Sequence, residues 1–221
     1  MFDSRGVGSS DRPTDPFTTR TMADDTVGLM DHLGIEKAHV LGVSLGGMIA
    51  QEITINYPAR VMKLILACTS PGRSSDSTEP SEIAQKLGLP YNDRGDVESD
   101  KLDFAKVRDS MGRLGFNSRF WSWVVGPMVR VYMRHIGGDK VKGQFDAAVR
   151  HRALDRLHLI QSPTLIIAGG DDRLISPRLS EEMARRIPNS TLVVVEGGSH
   201  NLLAEKRGRF NREVLRFLTG G

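Results

Sequence analysis

The sequence predicts an α/β fold: a parallel sheet with flanking helices, interrupted by an inserted helical block. Three observations carry that prediction. Short apolar runs at residues 38–43, 61–68, 163–168 and 191–195 alternate with segments of helical periodicity. These runs lack the polar alternation of a strand with one wet face, so they suit parallel strands covered on both sides. Residues 83–157 carry helical spacing and no strand-like run, which marks an insertion into the sheet.

Taken in order, residues 1–11 form a glycine-rich loop entered from at most two residues of strand. A helix over 18–33 follows: Thr18, Thr19 and Thr21 offer caps, Ala23, Val27, Met30 and Leu33 share a face, and Gly34 ends it. The first strand, 38–43, leads into a sharp turn and a helix running to Asn56, closed by Pro58. The second strand is 61–68. Residues 69–82, rich in Ser, Pro, Gly and Asp, read as a linker. Helical spacing then appears at 102–114, 121–136 and 141–154, and Met111, Phe116, Phe120, Trp121, Trp123, Met128, Tyr132 and Met133 gather there. Such a stripe packs on itself, and it also suits the apolar underside of a lid, with Trp121, Trp123 and Met128 the candidate substrate contacts. Strand 163–168, helix 177–187, strand 191–195 and helix 205–218 complete the chain. The domain expectation is a core at 1–75 and 158–221 with a cap at 76–157.

Composition narrows the function classes. A net charge of +3 and a pI near 9.2 come from Lys and Arg scattered among nearly as many acids. No basic stripe interleaved with aromatics appears, so nucleic acid is not an expected partner. Cys68, the sole cysteine, has no disulfide partner and no metal-ligand spacing, and reads as a buried packing residue. No metal or cofactor is expected. No stretch reads as a signal peptide or a membrane span, so the expectation is a cytoplasmic protein; a signal ahead of Met1 would not be visible in these residues. The oligomeric state is not legible.

The chemistry concentrates at Gly42-Val43-Ser44-Leu45-Gly46, where strand becomes helix. A serine on such a turn is strained, and the crowding is relieved when the residues two before and two after lack side chains, with Gly47 allowing close packing of the helix. The turn exposes the Ser44 hydroxyl and aims the helix N-terminus at it, where the N–H of Leu45 can meet a developing negative charge. A serine nucleophile needs a base, and the base an orienting acid. Of the six histidines, only His200 follows a strand in a glycine-rich loop. Asp171 and Asp172 both follow strand 163–168, and the residues alone leave the acid open between them.

Asp3-Ser4-Arg5-Gly6-Val7-Gly8-Ser9-Ser10, the elbow at Ser44, Gly169-Gly170-Asp171-Asp172-Arg173-Leu174-Ile175-Ser176-Pro177 and Gly198-Ser199-His200-Asn201 together resemble the α/β-hydrolase fold superfamily, over nearly the whole chain. The resemblance implies an α/β-hydrolase-type sheet, selects Asp172 as the acid, and implies catalysis by Ser44, Asp172 and His200 with no cofactor. It further implies a serine hydrolase acting on a small-molecule carboxylic ester, thioester or lactone. Cofactor-free haloperoxidases and carbon–carbon bond hydrolases share these motifs, and a non-catalytic binding member or inactive fragment is the alternative of another class. Members of the family carry strands and a His-Gly type loop before the point where this sequence starts. The expectations are therefore an N-terminally truncated core with strand 38–43 at an open edge, one oxyanion donor lacking, and low stability and activity of the chain alone.

Overall fold

The structure, a computed structural model, describes residues 2–98, 101–103, 106–107, 110, 114–115 and 142–220. The predicted helix 121–136 and the candidate contacts Trp121, Trp123 and Met128 lie outside the described residues, as does part of 102–114. Helix α1 spans Thr19–His32, β1 Ala38–Val43, α2 Leu45–Asn56, β2 Val61–Ala67, α3 Glu82–Leu87 and α4 Lys142–Val149. Then come β3 Thr164–Gly169, α5 Pro177–Arg186, β4 Ser190–Val195, α6 Leu202–Glu205 and α7 Arg207–Thr219.

Among the described residues the four strands form one parallel sheet in the order β1-β2-β3-β4. The period of two sends alternate side chains of each strand to opposite faces. Leu64, Leu66 and Ile166 pack on one face with Ala23, Val27, Ala50, Ile53, Met183 and Ile187, joining α1, α2 and α5. On the other face Ile65, Ala67, Leu165 and Ile167 meet Leu202 and Phe210 of α6 and α7. Each fully buried Leu or Ile contributes about 1.5–3 kcal/mol.

Four expectations change. Burial on both faces holds throughout β3 and over most of β2, whereas β1 and β4 lie at the edges and are only partly covered, leaving Leu41 and Val194 exposed. The segment after β2 is no free linker: Thr69, Ser70 and Arg73 are buried. Arg152 Nη1 donates to the carbonyls of Ser74, Ser75 and Ser77, and Arg73 and Arg152 both bind Asp96 Oδ1. That stitching also shortens the helix expected over 141–154. Gly72 and Arg152 form an antiparallel bridge and Ala153 N–H donates to Pro71 O, so the backbone pairs with the segment after β2 where the helix would have continued. Finally, the C-terminal helix is split, with a non-helical Lys206 (φ −123°, ψ 36°) between α6 and α7.

His151, fully enclosed beside this stitching, lies 2.9 Å from Thr19 Oγ1 and 3.4 Å from Gln51 Oε1. Burial pushes its pKa down to about 4, against the opposing pull of Glu52. The unfolded chain therefore binds the proton first, and stability present above pH ~6.5 is lost as the pH falls toward about 4. Between pH 7.5 and 5 this one group is expected to remove about 2 kcal/mol, and His151→Gln should flatten that slope in melting curves taken across the range.

Candidate active site

The register sets Val43 level with Ala67, and the chain leaves both strands through strained residues. Ser44 (φ 53°) and Cys68 (φ 44°) are the non-glycine residues with positive φ among those described. Each costs on the order of 1–3 kcal/mol, a strain that clusters at functional sites. Ser44 N–H donates to Ala67 O at 3.0 Å, Thr69 Oγ1 donates to Ser44 O at 2.6 Å, and Ser44 is the N-cap residue of α2. The elbow is therefore held from β2 on both sides of Cys68.

The glycines divide the work differently from the sequence expectation. A Cβ on Gly42 would sit 2.2 Å from Gly46 O, and one on Gly47 would sit 2.5 Å from Thr69 Cβ and Oγ1. A Cβ on Gly46 meets nothing within 4 Å among the described residues. The tight approach thus needs Gly42 before the serine and Gly47, rather than Gly46, after it.

At the far end of the sheet, the loops after β3 and β4 are tied together: Gly170 N–H donates to Val195 O and Asp171 N–H to Gly198 O, each at 2.9 Å. Asp171 faces solvent, whereas Asp172 is buried. Asp172 Oδ1 accepts the N–H groups of Leu174 (2.9 Å) and Ile175 (2.8 Å), which fixes the carboxylate plane and leaves Oδ2 for His200 Nδ1 at 2.9 Å. His200 Nε2 stands 3.1 Å from Ser44 Oγ. The structure thus brings Ser44, His200 and Asp172 into one hydrogen-bonded chain and leaves Asp171 out of it.

The histidine is steadied by its neighbours. Ser199 N–H donates to Glu205 Oε2 at 3.2 Å; Ser199 Oγ and Asn201 Nδ2 both donate to Gly115 O, at 3.0 and 2.7 Å. Sequence reasoning did not single out Thr69, Ser199 or Glu205, whose contacts are long-range or depend on loop shape. Cys68 is held as a neutral thiol: burial, then the charge of Asp172, push its pKa up to about 12. The N–H of Leu45, the first residue of α2, is among the donors for which a helix has no internal acceptor.

A family profile described as the alpha/beta hydrolase fold matches residues 1–207. The chain belongs to the α/β-hydrolase family. This hydrolase is 30% identical over 225 residues to a Caulobacter sp. (strain K31) protein whose provisional name is carbamate hydrolase RutD, covering 100% of this chain and 80% of that one. It is likewise 30% identical over 234 residues to the poly(3-hydroxyalkanoate) depolymerase of Ectopseudomonas oleovorans, covering 98% of this chain and 73% of the relative. In three dimensions it is similar to the enol-lactonase from Burkholderia xenovorans LB400, with a TM-score of 0.80 and 24% identity over 98% of this chain and 79% of that one, a likeness of fold.

The glycine geometry yields a stability test. Gly42→Ala and Gly47→Ala should each cost at least about 2 kcal/mol, because backbone or a packed threonine must move. Gly46→Ala should leave the melting temperature level or slightly raised, since alanine is the better helix former.

Proposed function

We propose that this hydrolase cleaves a small carboxylic ester, thioester or lactone through an acyl-enzyme on Ser44. The observation that carries the reading is the unbroken chain from Asp172 Oδ2 through His200 to Ser44 Oγ, at 2.9 and 3.1 Å. In this reading His200 Nε2 takes the serine proton as Oγ attacks the acyl carbon. The carbonyl π pair moves onto oxygen, and the Leu45 N–H meets the resulting oxyanion. As the tetrahedral adduct collapses, the proton on His200 passes to the departing alkoxide or thiolate. Water then repeats the cycle with His200 as base, releasing the carboxylic acid and freeing Ser44. Asp172, its other oxygen occupied by two amides, holds the imidazole in the tautomer whose Nε2 faces the serine and stabilises its protonated form. The depolymerase among the relatives is named for a polyester, which supports an ester as the scissile bond.

Residues 76–157 act in this reading as the cap, with Trp121, Trp123 and Met128 as its substrate contacts. The reaction requires no metal or organic cofactor.

Ser44→Ala is expected to lower p-nitrophenyl ester turnover by on the order of a million-fold with the fold retained. Activity within tenfold of the parent in the purified variant refutes the assignment. Asp172→Asn should cost about ten-thousand-fold in kcat, and Asp171→Asn little, because only the former reverses the hydrogen bond that sets the histidine tautomer. Steady-state kinetics on the two variants separate the aspartates.

A further inference from the structure

Thr69 follows the strained Cys68 at the end of β2 and is fully buried. Its hydroxyl donates to the carbonyl of Ser44 at 2.6 Å. That carbonyl belongs to the same peptide unit as the N–H of Leu45. A trans peptide is planar, with C=O and N–H pointing in opposite directions, so a group that anchors the oxygen aims the hydrogen. The carbonyl already accepts Gly47 N–H at 2.9 Å and Met48 N–H at 3.3 Å, as a helix N-cap does. Thr69 adds a third donor, and charge drawn onto the oxygen makes the N–H on the other side of the amide more positive. The site is built for it: the space a Cβ on Gly47 would fill is taken by the threonine side chain, 2.5 Å away.

We propose that Thr69 is a positioning residue of the oxyanion site: by holding and polarising the Ser44–Leu45 peptide, it fixes the N–H that receives the transition-state charge. This rests on the serine hydrolase reading. Thr69 touches no reacting atom, so its effect falls on the step in which charge develops, leaving ground-state binding and the His200–Asp172 pair alone.

Thr69→Val keeps the shape and removes the donor; Thr69→Ser keeps the donor. With p-nitrophenyl butyrate, Thr69→Val is expected to lower kcat about tenfold, less than the hundred- to thousand-fold for losing a direct donor. KM and the acid-limb midpoint of kcat/KM should stay as in the parent, and Thr69→Ser should restore most of kcat. A trifluoromethyl ketone, which adds to serine and places an oxyanion at the same point, should bind Thr69→Val weaker by a similar factor. A Thr69→Val kcat within twofold of the parent overturns the proposal, as does an equal loss in Thr69→Ser or a loss confined to KM. If Thr69→Val does not fold, Thr69→Ala against Thr69→Ser gives the same comparison, because the two differ only by the hydroxyl; equal kcat again overturns it. Ser44→Ala is the control. Should it keep turnover, the hydrolase reading and this inference fall together; if it is inactive while Thr69→Val is normal, the inference alone falls.

Discussion

The turn at Ser44 is the constraint on which the site depends. A strand ends, the backbone passes through a positive φ at a residue with a side chain, and a helix begins at the next residue. Nothing local favours that conformation; the surroundings impose it. Gly42 lets the backbone of Gly46 come within a distance no Cβ would tolerate, and Ala50 and Ile53 hold α2 against the sheet. Packing along the helix thus offsets strain at its first turn, and the strain leaves the hydroxyl standing clear of the sheet beside free N–H groups.

The partners of Ser44 arrive from the far side of the sheet, so their placement depends on register. β3 and β4 run level to Gly169 and Val195, and the two loops that follow are bonded to each other before either reaches the serine. Asp172 is determined on both oxygens and His200 on both nitrogens. A site assembled from three strand ends needs this over-determination, since a shift of about 1 Å in one loop can cost on the order of a hundred-fold in rate.

Much of this was legible in the sequence because the signals are local. The four strands are short apolar runs bounded by turn formers, and the elbow carries its own mechanism in two glycines and a serine. Which of two adjacent aspartates turns inward was less legible, since it depends on where the amides of Leu174 and Ile175 point once Asp172 is buried. The reading of residues 69–82 as a linker failed for a physical reason. Its Ser, Pro and Gly content is that of a loop, yet Arg152, some 75 residues downstream, gathers its carbonyls, a long-range pairing that composition does not encode. Gly46 was overvalued for the converse reason: the motif contains it, but the close contact is made by its backbone oxygen and by its neighbour Gly47.

That misread segment explains how α2 can be both strained and stationary. Its first turn is held through Ser44 O by Thr69, and its middle by Gln51 Nε2 donating to Ser70 O at 3.0 Å. Ser70 Oγ in turn accepts Gly72 N–H, and Gly72 pairs with Arg152. Behind Gln51, Glu52 is buried against Arg156 at 2.6 Å, and His151 fills the gap to α1 through Thr19. A buried ion pair contributes little net stability, because desolvation cancels most of the attraction, but breaking one is expensive. A network of this kind therefore serves to single out one position for the helix more than to deepen the fold. Ser44 at the N-terminal end of that helix inherits the position, which is why a polar cluster remote from its hydroxyl belongs to the physical account of the site.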